Sequence, residues 1–324
     1  MPLPLIQHPE LSPNSQAFPF VEQLLTRNKQ LGTNVTKSHG VTIIDCGIQV
    51  LGGWEAGVLY ASVCLGGLAR VELHWSHLKD FPWPSVEVIT DHPLRACLAS
   101  QYAGWPIKNG EKVVLGSGPI RSIVHEGGLF ETLGYRDESN TAIICLESDT
   151  LPTDEAIEQI LEVCNCAPTS LYILAAPTAS FVGSVQVSAR ALETGLSKLR
   201  LLGYDLGKIV SGWSTCPLPP ITKDNLRALG RTNDAILYGA TVYFNLQDDD
   251  KTLESIVKQI PSSLSQYNVQ RFEELIERHG NFYELDPTIF SPAEVWLNNI
   301  NSGNSFHAGA VNINLLRQSF CIKA

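Results

Sequence analysis

The sequence predicts a mixed α+β protein of two domains, and three observations carry that expectation. Strands and helices follow one another without the regular strand–helix–strand count of a doubly wound sheet. A chain of 324 residues is long for one hydrophobic core. The run Pro217-Leu218-Pro219-Pro220 is stiff and reads as a boundary or crossover. The expected division is a loose arm at 1–16 followed by approximate halves, 17–216 and 217–324, with a boundary that can be discontinuous.

The elements are justified in chain order. Residues 1–16 are rich in Pro, Ser and Asn and lack an apolar period. Val21, Leu24, Leu25 and Leu31 make an amphipathic helix at about 17–31. Val41 to Gly47 is an apolar strand ending in a turn, and Gly52-Gly53 opens a helix over about 54–65 that stops at Gly66-Gly67. Alternation marks strands at about 69–75 and 85–90. Pro93 sits near the start of a helix reaching Ala103, and Gly116-Ser117-Gly118-Pro119 opens a short helix. Thr141 to Glu147 is an apolar strand, and Asp154 to Cys164 is an amphipathic helix with Thr153 as its cap. Leu171 to Ala176 is a buried strand that feeds a small-residue loop and one long helix at about 183–202. Beyond Pro220, Asn225 to Arg231 reads as a helical turn and Ala235 to Leu246 as a strand region. Lys251 to Ile260 and Phe272 to His279 read as helices, and 293–316 as strands.

Composition excludes several function classes. The net charge of −10 argues against a nucleic-acid backbone as partner, which needs a basic face. The N-terminus has no basic stretch leading into an apolar one, and no apolar run reaches spanning length. The expectation is a cytoplasmic protein with neither membrane nor nucleic acid among its partners. The eight cysteines form no CxxC pair; Cys164-Asn165-Cys166 is the one close pair and no His adjoins it, so buried free thiols are expected and no metal site.

The richest segment runs from Ser184 to Glu193. Val185, Ala189, Leu192, Leu196 and Leu199 form an apolar stripe, and Gln186, Arg190, Glu193 and Ser197 a polar one beside it. Arg190 and Glu193 are three apart and neighbours on a helix. By itself such a pair is commonly a solvated surface ion pair of little energetic consequence. Its setting adds weight, because a strand, a small-residue loop and a helix start in succession leave backbone N–H groups facing a ligand. Ser184 lies at that start, and Gln186, one turn before Arg190, is open between bonding a ligand, orienting Arg190 and serving as a capping or core-edge amide.

Several blocks together resemble the methenyltetrahydromethanopterin cyclohydrolase family. They are Pro177 to Glu193, Ala96 to Trp105, Leu115 to Pro119, Gly230 to Gly239, and Asp286-Pro287 with Phe290-Ser291-Pro292, in the family's order over roughly 20–310. The resemblance implies a complex αβ fold with the active-site pocket between two domains, and a homo-oligomer, commonly a trimer. It implies hydrolysis of the methenyl bridge of a reduced pterin carrier to leave the 5-formyl compound, a step without redox change that needs neither nicotinamide, flavin nor metal. Glu193 matches the family's catalytic carboxylate and Arg190 its arginine; a guanidinium would keep a buried base ionised and aim it at water.

Substrate-binding candidates follow from the same blocks. Ser117, Gly118 and Arg121 would form an anion cradle, although GxGP also suits an ordinary turn into a helix. Asn233 and Asp234 would read the donor and acceptor edge of the pterin, or else serve a self-bonding turn. Gln101 and Ser291 are further candidates, and Gly195 would either admit the close approach of another backbone or loosen the helix that carries Glu193. Competing readings are a cyclohydrolase of another reduced pterin such as tetrahydrofolate, a protein that binds the carrier without turnover, and a structural subunit.

Overall fold

The structure is a computed structural model and describes residues 11–78, 81–124, 128–265, 270–279 and 285–323. In chain order the elements are α1 (Pro13–Thr26), α2 (Asn28–Leu31), β1 (Asn34–Ser38), β2 (Val41–Asp45), α3 (Trp54–Cys64), β3 (Arg70–Leu78), β4 (Phe81–Thr90), a π-helix (Leu94–Gln101), β5 (Trp105–Asn109) and β6 (Lys112–Ser117). Then come α4 (Gly128–Leu133), β7 (Ala142–Glu147), α5 (Asp154–Cys164), β8 (Leu171–Ala176), α6 (Phe181–Ser188), α7 (Ala191–Leu201) and β9 (Ile209–Pro217). The last are α8 (Asn225–Gly239), β10 (Thr241–Leu246), α9 (Asp250–Val257), α10 (Phe272–His279), β11 (Glu294–Asn299), β12 (Ser305–Gly309) and α11 (Ile313–Ser319). The fold is mixed α+β with two six-stranded sheets. No helix among the described residues is long and apolar enough to cross a membrane.

The chain divides into two compact units. The first holds the chain up to Arg70 and Leu94–Gln186, and the second Val71–Pro93 and Val187–Ala324, so the division is discontinuous. The Pro217–Pro220 run lies inside the second unit and does not separate the two. Pro217 pairs with Ser85, and the Leu218 N–H donates to the Pro84 carbonyl at 2.9 Å, so the run continues a strand edge.

The first unit carries the sheet β1-β2-β8-β7-β6-β5. Its centre, β2, β8 and β7, is parallel, and β2 is buried at all five positions, as expected of a strand covered on both faces. One face packs Ile43, Ile107, Ile144 and Ile173 against Ile157 and Ile160 of α5. The other packs Ile44, Ile143 and Leu174 against Val21 and Leu24 of α1 and Tyr60 of α3. Residues 1–10 of the expected arm lie outside the described residues, and its remainder is ordered. Ser12 accepts the Ser15 N–H at 3.0 Å and caps α1. The buried Asn14 amide donates to Asp137 at 2.8 Å and to the Pro119 carbonyl at 2.9 Å, and accepts the Ile143 N–H at 2.9 Å.

The second unit carries the sheet β12-β11-β10-β9-β4-β3, in which β10 and β11 are parallel and the pairs β12–β11, β10–β9 and β9–β4 antiparallel. Val242, Phe244 and Leu246 of β10 and Val295 and Leu297 of β11 point into its core. Residues 235–239 are helical where a strand was expected: α8 runs to Gly239, and from Gly230 onward it is buried on every face, so no apolar stripe marks that half. Residues 313–316 likewise belong to α11, whose Asn312 side chain accepts the Leu315 N–H at 3.2 Å.

Candidate active site

The chain leaves β8 through Pro177–Ser180, and two devices force the turn into α6. Ser180 Oγ accepts the Gly183 N–H at 2.9 Å, an N-cap. Gly183 must lack a side chain, since a Cβ there would lie 2.1 Å from the Pro177 carbonyl oxygen. The expected single helix at 183–202 is two helices. At Arg190 the N–H donates to Val187 O at 3.0 Å, three residues back, so the four-residue ladder is interrupted between α6 and α7.

Glu193 lies in the first turn of α7 and is 9 % exposed. Ser197 Oγ donates to its Oε1 at 2.8 Å from one turn further on. Arg190 Nη1 stands 3.8 Å from Oε2, within electrostatic reach but beyond a hydrogen bond. Burial pushes the Glu193 carboxyl above its ordinary range, while Arg190, the Ser197 hydroxyl and Arg200 act in the opposite direction. Arg190 thus acts in the direction expected of it, favouring the ionised carboxylate, while desolvation is the larger influence on the group. Gly195 admits a ring and not a backbone, because a Cβ there would be 3.2 Å from Phe244 of β10.

In the first unit, the buried Gln186 donates its amide to Glu147 Oε2 at 3.1 Å, and the Thr178 hydroxyl donates to Glu147 Oε1. The break before α7 takes Gln186 off the helix that bears Glu193. Glu147 ends β7, at the carboxyl end of the parallel strands where open sheets commonly bind ligands. It is half-buried, has a fixed orientation, and has no cationic side chain in salt-bridge range among the described residues. Such a carboxylate can accept further N–H donors. Sequence reasoning missed it; the available signal was an acidic residue closing an apolar strand just ahead of a ligand-type loop.

The other candidates are engaged in packing. Ser117 Oγ donates to the Cys145 carbonyl at 3.2 Å, and the Gly118 N–H donates to Ser100 O at 2.9 Å. Gly118 has φ 89°, and a Cβ there would meet Cys145 Sγ at 3.1 Å. Arg121 is buried with its guanidinium carbon 5.0 Å from the centre of the Phe130 ring. The expected anion cradle is thus a packed 3-10 turn, Pro119–Ser122, whose preceding N–H is already used. Gln101 is buried in the π-helix, and Ser184 is buried in α6. The Asn233 amide donates to Leu229 O at 2.9 Å within α8. Asp234 Oδ1 accepts the Phe272 N–H at 2.9 Å at the start of α10, and burial pushes its carboxyl up to about 7. Ser291 Oγ donates to the Ile260 carbonyl.

A family model described as cyclohydrolase (MCH) matches residues 12–320. The chain is 38 % identical over 317 residues to the methenyltetrahydromethanopterin cyclohydrolase of Methanococcoides burtonii, covering 97 % of this chain and 99 % of that protein. It is 40 % identical over 313 residues to the protein of that name from Methylobacillus flagellatus, covering 95 % of each. With the one from Methanothermobacter marburgensis it shares 38 % over 317 residues, 96 % of this chain and 99 % of the other.

Proposed function

The chain belongs to the MCH cyclohydrolase family, and on that premise we propose that it hydrolyses 5,10-methenyltetrahydromethanopterin reversibly to the 5-formyl compound, with Glu193 as the base. The observation that carries the base is a buried carboxylate at the start of α7 with one oxygen held by Ser197 and the other facing Arg190. The electrophile is a cationic amidine carbon, so the reaction needs a positioned water and a proton acceptor.

In the proposed reaction, water forms a C–O bond to the bridge carbon while one of its protons passes to Glu193 Oε2. The resulting carbinol collapses: the carbon–N10 bond breaks, N10 takes the proton from Glu193, and the hydroxyl proton leaves to solvent as the formyl group forms on N5. One proton is released per turnover. Ser197 and Arg190 are positioning residues that bear on the orientation and ionisation of the carboxylate.

The same reading extends to assembly and location. The open face of the second unit's sheet carries a cross-strand row, Ile89, Trp213, Tyr243, Trp296 and His307, in direct register. Trp213 in that row is 49 % exposed. Apolar surface of that kind supports burial against a second copy, and the family resemblance makes a homotrimer the assembly we propose. A reduced carrier and free thiols at all eight cysteines fit a reducing, cytoplasmic setting.

The test is the loss of methenyl-tetrahydromethanopterin absorbance on adding purified protein, with Glu193→Gln alongside. Wild type alone should consume the substrate, while the folded variant binds it without turnover. Consumption by both would discard Glu193 as the base. Binding without consumption by wild type would leave a carrier-binding protein.

A further inference from the structure

The proposed hydrolysis leaves the Cys164 and Cys166 pair without a task. Five other cysteines, Cys46, Cys64, Cys97, Cys145 and Cys216, are at most 1 % exposed, and burial pushes the Cys46 and Cys216 thiols up. Thiols held protonated away from solvent are poor partners for exchange. Cys321 is exposed near the C-terminus.

Cys164 and Cys166 differ from all of these. Cys164 is the last residue of α5, and Asn165, with φ 49°, turns the chain back on itself through a left-handed cap. The Asn165 N–H closes that turn on Leu161 O at 3.0 Å. The turn leaves the two Sγ atoms 3.0 Å apart. That separation is about 1 Å longer than a disulfide bond. The S–H of Cys166 turned toward Cys164 brings the Cys164 thiol down to about 7, and the same sharing pushes Cys166 up. Cys164 lies at the core edge, 8 % exposed, and Cys166 is half-buried beside it.

We propose that Cys164 and Cys166 form a dithiol site that takes a small organic disulfide as its substrate and closes to an intrachain disulfide across the end of α5. The Cys164 thiolate attacks one sulfur of the small disulfide and forms a mixed disulfide; the leaving thiolate takes up a proton. Cys166 then gives up its proton and attacks Cys164 Sγ, releasing the second small thiol, which is protonated in turn. The protein loses two electrons and two protons, and the small disulfide gains both as two thiols. Because the sulfurs already meet within an existing capped turn, closure asks for side-chain rotation and leaves α5 where it packs.

The experiment equilibrates the full-length Cys321→Ser protein with oxidised glutathione under anaerobic conditions, then alkylates it under denaturing conditions and maps the peptides. The expected result is two alkylatable thiols fewer, with Cys164 joined to Cys166 in one peptide. Adding Cys166→Ser should stop the reaction at a glutathionyl adduct on Cys164, and adding Cys164→Ser should slow reaction at Cys166 by about tenfold, reflecting the lost thiolate. Full alkylation of both cysteines in the Cys321→Ser protein would overturn the proposal without recourse to the other variants. Equal rates with and without Cys164 would overturn the assignment of the attacking sulfur.

Discussion

Asp234→Asn distinguishes a carboxylate that reads a ligand from one that organises the fold. Asp234 is 1 % exposed, and its Oδ1 accepts the Phe272 N–H at 2.9 Å. Burial pushes its carboxyl up to about 7 against the Ser319 hydroxyl, the Phe272 N–H and Arg271, from an ordinary 3.8. The native state therefore binds this proton more tightly than the unfolded chain does. Stability contributed by the group is fully present at low pH, is lost as pH rises from about 4 to about 7, and changes no further above that. One pH unit within that window corresponds to about 1.4 kcal/mol, so the loss between pH 5 and pH 7 is at most about 2.7 kcal/mol. Asparagine keeps an oxygen for Phe272 and carries no charge. Urea unfolding of both proteins at pH 5 and pH 8 should show the variant gaining on wild type by up to about 3 kcal/mol at the higher pH. The same stability difference at both pH values would refute the argument, because it would mean that Asp234 titrates as an exposed carboxyl does. A tenfold rise in KM for the pterin in a variant of unaltered stability would return Asp234 to the substrate.

Three other outcomes are expected. Ser197→Ala removes the hydroxyl that holds Glu193 Oε1, at a cost of about 1.5–3 kcal/mol for a bond to a charged group. Since that bond lowers the Glu193 carboxyl, its loss should move the acidic limb of the kcat profile to higher pH, and an unmoved limb would mean the hydroxyl does not bear on the base. Gly183→Ala puts a Cβ 2.1 Å from the Pro177 carbonyl and should destabilise by about 3 kcal/mol or more, read as a fall in urea midpoint. Trp213→Asp places a charge in the exposed aromatic row and should convert the assembly to monomer by light scattering; an unchanged mass would leave that face to solvent.

Elements with a period and a cap were legible in the chain. Thr153 caps α5 by accepting the Ala156 N–H at 3.3 Å, and the apolar runs of β7 and β8 are the buried parallel strands they resemble. What failed was legibility where burial surrounds an element. Residues 235–239 are apolar on every face of α8, so strand and helix are indistinguishable there by pattern. The hairpin of β5 and β6 was missed because Pro106 stands inside β5 and the exposed Val113 breaks the pattern of β6. The Arg190–Glu193 pair was visible from its spacing, whereas the Glu147 constellation was not. Gln186 and Thr178 lie 39 and 31 residues from Glu147, a separation that only the parallel pairing of β7 with β8 closes.

The upward direction of the Glu193 shift, caused by burial, suits the base of the proposed mechanism. A buried carboxylate clamped by a bidentate arginine would be a weak base, its lone pairs already engaged and its charge neutralised. Here Arg190 stands at 3.8 Å, so the pairing is electrostatic and Oε2 is not consumed by a short hydrogen bond to it. Burial pushes the carboxyl up and makes the ionised form a stronger proton acceptor. The methenyl bridge is itself cationic, and its arrival beside Glu193 would favour ionisation at the moment the base is needed. Once water has added, the carbinol of the proposed mechanism is neutral, and the carboxyl can deliver to N10 the proton it took from water. On the proposed mechanism, burial that raises the proton affinity of Glu193 and a guanidinium beyond hydrogen-bond distance suit one side chain to both halves of the proton transfer.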